Sequence, residues 1–124
     1  FYFKAEKIYL KLNDKFNLAK TRLNKANLQY SESDFLGSEV AVFNSLRVIN
    51  GLDSKEIFYD SYNLLGAVYN EIGEYNKALE FHLKALSISK DKEIPSVYQS
   101  RATSLNNIGY VYQNLKKNLQ LIQE

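Results

Sequence analysis

The 124-residue sequence predicts an all-α fold, an array of antiparallel helix hairpins stacked as a solenoid, and three observations carry that prediction. Apolar residues keep a helical period: Tyr62, Leu65, Gly66, Tyr69 and Ile72 recur at intervals of three and four, as do Tyr75, Ala78, Leu79, His82, Ala85 and Leu86. The segment Tyr62-Asn-Leu-Leu-Gly-Ala-Val-Tyr69 recurs 43 residues later as Leu105-Asn-Asn-Ile-Gly-Tyr-Val-Tyr112, and more loosely 39 residues earlier as Leu23-Asn-Lys-Ala-Asn-Leu-Gln-Tyr30. Recurrence separates a solenoid from a chance hairpin. Turn-forming residues also fall between the periodic stretches.

The elements follow in order. Ala5 stands 40 residues before Ser45, so residues 1–12 read as the second helix of an incomplete repeat. Residues 16–31 carry Leu23 and Tyr30 as a first helix, closed by Ser33-Asp34. In the helix expected over 34–49, Phe35, Ser38, Val42, Ser45 and Leu46 stand 40 before Tyr75, Ala78, His82, Ala85 and Leu86. With offsets of 39 and 40 for the two helices, the turn between them is expected to be one residue shorter than its counterpart. Asn50-Gly51 reads as a helix stop, although the same dipeptide makes hairpin turns between strands.

The stretch from Ser54 to Tyr62 has no glycine and contains Ile57 and Phe58, so the next helix starts early and spans 55–72. Gly73 supplies the turn to a helix over 74–89. Lys90 to Glu93 form the next break, and Pro95 suits the first turn of a helix over 95–115, with a further stub from 118. The chain thus divides into a partial repeat at 1–12, repeats at 16–49 and 55–89, and a truncated repeat at 95–124.

These residues resemble the tetratricopeptide repeat (TPR) family. In that family two antiparallel helices approach closely at small residues, and Gly66, Ala78 and Ala85 stand where those are expected. The resemblance implies a right-handed solenoid of about three repeats with incomplete ends. The spacing exceeds the roughly 34 residues of the ordinary repeat, and the longer form is similar to repeats of kinesin light chains and of bacterial sensory and regulatory proteins. Two positions depart from the pattern: Asn27 stands in place of glycine, and Asn118 in place of a large aromatic.

Composition excludes several function classes. Sixteen basic and 14 acidic residues give a net charge of +2 without a local basic run, which gives no electrostatic case for nucleic acid. Ten tyrosines could stack on bases, yet Tyr62, Tyr69, Tyr75 and Tyr112 fall at packing positions and lack interleaved basic residues. Zero cysteines exclude disulfides and thiolate metal sites. No apolar run is long enough to cross a bilayer, and no signal segment opens the chain. With no methionine, and with a helix starting as it stops, the chain reads as a piece of a longer protein. The cytoplasm is the favoured compartment, with the periplasm the alternative for a membrane-sensor parent.

One residue along from the buried stripe of the first helices turns about 100° and brings Asn63, Ala67 and Asn70 onto one line. The family resemblance implies that this line faces a concave groove where ligands lie. Its counterparts are Asn24, Leu28 and Ser31 in the first repeat and Asn106, Tyr110 and Gln113 in the third. A row of Asn24, Asn63 and Asn106 suits an extended peptide, since each amide offers one donor group and one acceptor matching a peptide's C=O and N–H. Asn70, Asn107, Tyr110, Gln113 and Lys25 complete the candidate set. The competing reading is that exposed asparagines keep a helix face soluble. Lys20 and Lys25 have no basic counterpart in the next repeat, which argues against a carboxylate clamp.

Catalysis finds no support. The single histidine, His82, lies on an inward face among Leu79, Ala85 and Leu86, and reads as a packing residue. Glu71, Glu74 and Glu80 are scattered rather than paired around a cleft, and phosphate loops and metal-ligand clusters are missing, so no cofactor is expected. The expected function is a non-catalytic scaffold holding a protein or peptide segment. The alternative is a regulatory or self-association segment of a signalling protein, such as a sensor kinase or transcriptional regulator. Self-association end to end would use Phe1, Tyr2 and Phe3, or Leu115, Leu119, Leu121 and Ile122.

Overall fold

The computed structural model describes residues 4, 6–7, 14–49, 54–89 and 97–123, and the side chains of all of these except 97–101. Five helices run through them: α1 (Lys15–Ser31), α2 (Phe35–Val48), α3 (Lys55–Glu71), α4 (Tyr75–Ser89) and α5 (Val97–Gln123). Lys4, Glu6 and Lys7 are also helical. The rest of the helix expected over 1–12, the stops at Asn50-Gly51 and Lys90 to Glu93, and Pro95 lie outside the described residues.

α1 pairs with α2 and α3 with α4 as hairpins, while α2 packs on α3 and α4 on α5. The first helices touch directly, α1 on α3 and α3 on α5, but α2 and α4 do not touch. Helices that meet on one side and splay on the other make a wall curved toward the side where they meet, so α1, α3 and α5 line the inner face of a helical-repeat solenoid.

Local chemistry sets the helix ends. The Asp14 side chain accepts from the Asn17 amide at 3.1 Å and the Asp34 side chain from the Gly37 amide at 3.0 Å, capping α1 and α2. Both hairpin turns close with the same bond: Asp34 N–H donates to Gln29 C=O at 2.8 Å, and Glu74 N–H to Tyr69 C=O at 2.9 Å. Each places one residue in the left-handed region, Ser33 at φ 64° and Gly73 at φ 85°.

The two turns therefore have equal length, which corrects the expectation of a shorter one in the first repeat. α1 and α3 each span 17 residues, and their ends stand 40 apart. The offset of 39 arose from matching Tyr30 to Tyr69 by residue type. In space Tyr30 takes the place of Asn70, and Ala26 takes the place of Gly66. The close approach in the first hairpin uses Ala26 and Ala19, whose carbonyls accept from the buried hydroxyls of Ser38 at 2.8 Å and Ser45 at 2.7 Å. Asn27, the apparent departure from the pattern, is simply exposed.

In the second hairpin the contact is tighter. His82 lies against Gly66, where an added Cβ would sit 2.5 Å from the imidazole ring, so only glycine fits. Val42, the counterpart of His82, is smaller and tolerates Ala26. The main core joins both hairpins to α5 through Leu23, Val42, Leu65, Val68, Ala78 and Val111. On the outer side, Phe58, Tyr62, Phe81 and Tyr69 form a ring series with centroids 5.9, 6.0 and 5.5 Å apart, and the Tyr69 hydroxyl donates to Glu39 at 2.6 Å.

Two expectations fail at α5. The helix expected to end near 115, with a stub from 118, runs unbroken to Gln123. Lys116, which stands 43 residues after Gly73, stays helical. Tyr112, expected to pack like its counterpart Tyr69, is 55% exposed against 5% for Tyr69.

Candidate functional site

The inner wall is registered by two equivalent contacts between neighbouring first helices. Tyr30 of α1 lies close enough to Glu71 of α3 for the carboxylate to act on its hydroxyl, and Asn114 of α5 donates its side-chain N–H to Asn70 Oδ1 of α3 at 3.1 Å. Residues 30 and 70 are 40 apart and residues 71 and 114 are 43 apart, so the same rung is built twice with different chemistry. Burial first, and then the Glu71 carboxylate, raises the pKa of Tyr30, with Tyr110 adding a smaller contribution from α5. Residues of all three first helices thus converge at this end of the wall.

At the other end, Lys20 of α1 stands 40 residues before Asp60 of α3 and lies close enough for their charges to interact. Asp60 is reached by solvent, yet surrounding protein raises its carboxyl above the ordinary value. The Glu56 carboxylate pushes the same way, and Lys20 opposes both.

The structure distributes the expected site residues unevenly. Asn63 and Asn106 occupy equivalent places on α3 and α5, 43 apart, and Asn106 is exposed. Asn63 is half-buried, with its Oδ1 3.2 Å from His82 Nδ1. Asn24 is exposed but out of line: with the offset of 40 it matches Leu64, one residue or about 100° around the helix from the place of Asn63. The three asparagines therefore do not form one row. Lys25 is exposed and lines a polar pocket of about 230 Å³ with Glu6, Arg22, Ala41 and Asn44, toward the first hairpin's own flank.

Asn70 is buried and engaged by Asn114, so its amide oxygen serves the inter-helix rung. Asn107 is half-buried, while Tyr110 and Gln113 are exposed on α5. Sequence reasoning missed the contacts that Tyr30, Asp60 and Asn114 make between first helices. The signal that could have found them is the pair of helix starts after Asp14 and Ser54, two cap-forming residues 40 apart that fix the register of α1 on α3.

His82 is only 2% exposed, and burial lowers its pKa to about 4, so the ring is neutral near pH 7. A neutral ring with its proton on Nδ1 donates to Asn63 Oδ1, which leaves the Asn63 NH₂ free to donate elsewhere. Among the described residues no group of three or more His, Asp or Glu side chains is placed to hold a metal ion, and no helix is long and apolar enough to cross a membrane.

Comparison with known proteins adds two findings. A family model described as "Tetratricopeptide repeat" matches residues 60–91, which contain most of α3 and all of α4. The chain is 31% identical over 81 residues to a "TPR repeat-containing protein" of Borreliella burgdorferi, a match that covers 65% of this chain and 30% of that protein. No solved structure matches.

Proposed function

We propose, from the premise that this chain belongs to the tetratricopeptide repeat family, that its inner wall holds an extended segment of a partner protein. Repeats of this family are non-catalytic helical scaffolds that mediate protein–protein interaction. The finer reading places the segment across α3 and α5, with Asn63 and Asn106 bonding its main chain and Tyr110 and Gln113 contacting its side chains. The observation that carries it is the shared register of Asn63 and Asn106 beside an exposed Tyr110 on the inner wall. His82 leaves Asn63 as a donor, which suits a peptide carbonyl, whereas the exposed Asn106 amide can give and accept. Asn24, Asn107 and Lys25 stand outside this line, and Asn70 supports the wall behind it.

Selection of a displayed random peptide library against the chain supplies the ligand for the test. Each neutral hydrogen bond contributes about 0.5–1.5 kcal/mol, so Asn63→Ala with Asn106→Ala should weaken a selected peptide roughly 5- to 150-fold. Asn106→Ala alone leaves His82 undisturbed and should give a smaller share of that loss without a change in melting. Peptides that bind both variants as tightly as the parent chain would refute the reading.

A further inference from the structure

The inner face of α3 is acidic in a chain that is basic overall. Glu56, Asp60, Asn63, Ala67 and Glu71 recur at intervals of three and four, so they share one side of the helix, and the three carboxylates are exposed. On α1 the only charge at the corresponding positions is Lys20, and on α5 Thr103, Asn106, Tyr110 and Asn114 carry none. Three carboxylates thus stand against one ammonium along the wall, while the whole chain has a net charge of +2. The ion pairs of Arg22 with Glu6, Lys77 with Glu74 and Lys84 with Glu80 involve none of the three.

The imbalance concentrates at the start of α3. Lys116 and Lys117 come later on α5 than Asn114, the counterpart of Glu71, and so lie toward the far end. Lys55 lines an outer pocket with Phe58 and Lys84, and Arg101, 43 residues after Phe58, is off the inner row. Glu56 and Asp60 are one turn apart, where like charges repel. Burial and then Glu56 raise the Asp60 pKa, and Lys20 lowers it without cancelling them. Lys20 also holds its Nζ 5.5 Å over the exposed Phe16 ring, so this end of the wall already accommodates one cation on an aromatic surface beside a carboxylate. One ammonium serves two carboxylates.

We infer that the partner segment held on the inner wall is basic and seats a lysine or arginine side chain against Glu56 and Asp60; the inference rests on the inner-wall reading and names the chemistry of its ligand. Asp60 precedes Asn63 by three residues, about 4.5 Å of helix rise, so a segment whose main chain is bonded at Asn63 can turn a long basic side chain onto it. A cation there relieves the repulsion between the two carboxylates and gains charge-assisted hydrogen bonds. A metal ion fits less well, because among the described residues no third acidic or histidine side chain completes a ligand set. α1 and α5 flank α3 on both sides, so further repeats at either end would lengthen the wall and leave this face open.

Peptides selected from a displayed random library against the 124-residue chain test the inference. The expected result is enrichment of lysine and arginine over aspartate and glutamate, with binding that weakens as salt rises. Glu56→Gln with Asp60→Asn should weaken a selected peptide roughly 2- to 30-fold, and helical circular dichroism should not change because both side chains are exposed. Glu80→Gln removes the same charge from α4 and should leave binding as it is. Asp60→Lys should reject the peptide, and exchange of the peptide's basic residue for glutamate should restore binding to that variant. Peptides that lose affinity with Asn63→Ala and Asn106→Ala, yet bind the variant with Glu56→Gln and Asp60→Asn as tightly as the parent, overturn this inference and leave the inner-wall reading standing. An equal loss with Glu80→Gln also overturns it, since the charge of the whole chain would then be the cause. Indifference to both pairs of substitutions overturns both readings.

Discussion

Acidification should destabilise the fold through one residue, His82. Its ring is enclosed between Gly66 and the Asn63 amide, and its pKa is held at about 4 against an ordinary 6.5 because burial penalises the charged form. As pH falls, the unfolded chain gains a proton near 6.5 while the folded chain refuses it until about 4. The contribution of the neutral ring is therefore complete above the unfolded pKa and is lost between those two values. The slope approaches about 1.4 kcal/mol per pH unit, so going from pH 7 to pH 5 removes about 2 kcal/mol. Asp60, whose pKa is raised, acts in the opposite sense: its contribution is present at low pH and is lost as pH rises through its folded value. The His82 component is isolated by urea unfolding at pH 7, 6 and 5 for the parent chain and for His82→Phe. Only the parent should show the loss. His82 is also the single histidine of the chain, so its imidazole proton signals report the titration without assignment by mutation. A titration midpoint near 6.5, or parallel pH profiles for parent and variant, would refute the reasoning.

Glycine positions give a paired test in which one helix neighbour is full and the other empty. Gly66→Ala should cost roughly 1–3 kcal/mol by driving a methyl into the His82 ring, whereas Gly109→Ala should gain up to about 1 kcal/mol from helix propensity; urea unfolding measures both. Ser33 adopts the positive φ that Gly73 adopts in the equivalent turn, so Ser33→Gly should stabilise the chain by about 0.5–1 kcal/mol, read as an increase in urea midpoint at constant slope.

How far the sequence reached can be seen in α3 and α4. Their stripe residues other than Ile72, which is 40% exposed just past the end of α3, were legible, as were the turn at Gly73 and the small residues Ala78 and Ala85, both fully buried. His82 was legible as a packing residue, but its bond to Asn63 was not, because nothing local links positions 19 residues apart. The row of three asparagines failed for a related reason. Tyr30 resembles Tyr69 in type, yet it occupies the place of Asn70, and only its contact with Glu71 reveals that register.

The sequence by itself determined the helices, their pairing into hairpins and the turns at Ser33 and Gly73. Those features rest on side chains within about four residues of one another and on backbone freedom at single positions. Tertiary structure alone decided the offset of α1 on α3, the burial of Asn70, the pairing of Asn63 with His82 and the straight course of α5 past Lys116. Each of these depends on side-chain volume and hydrogen bonding between residues far apart in the chain, for which helical periodicity carries no signal.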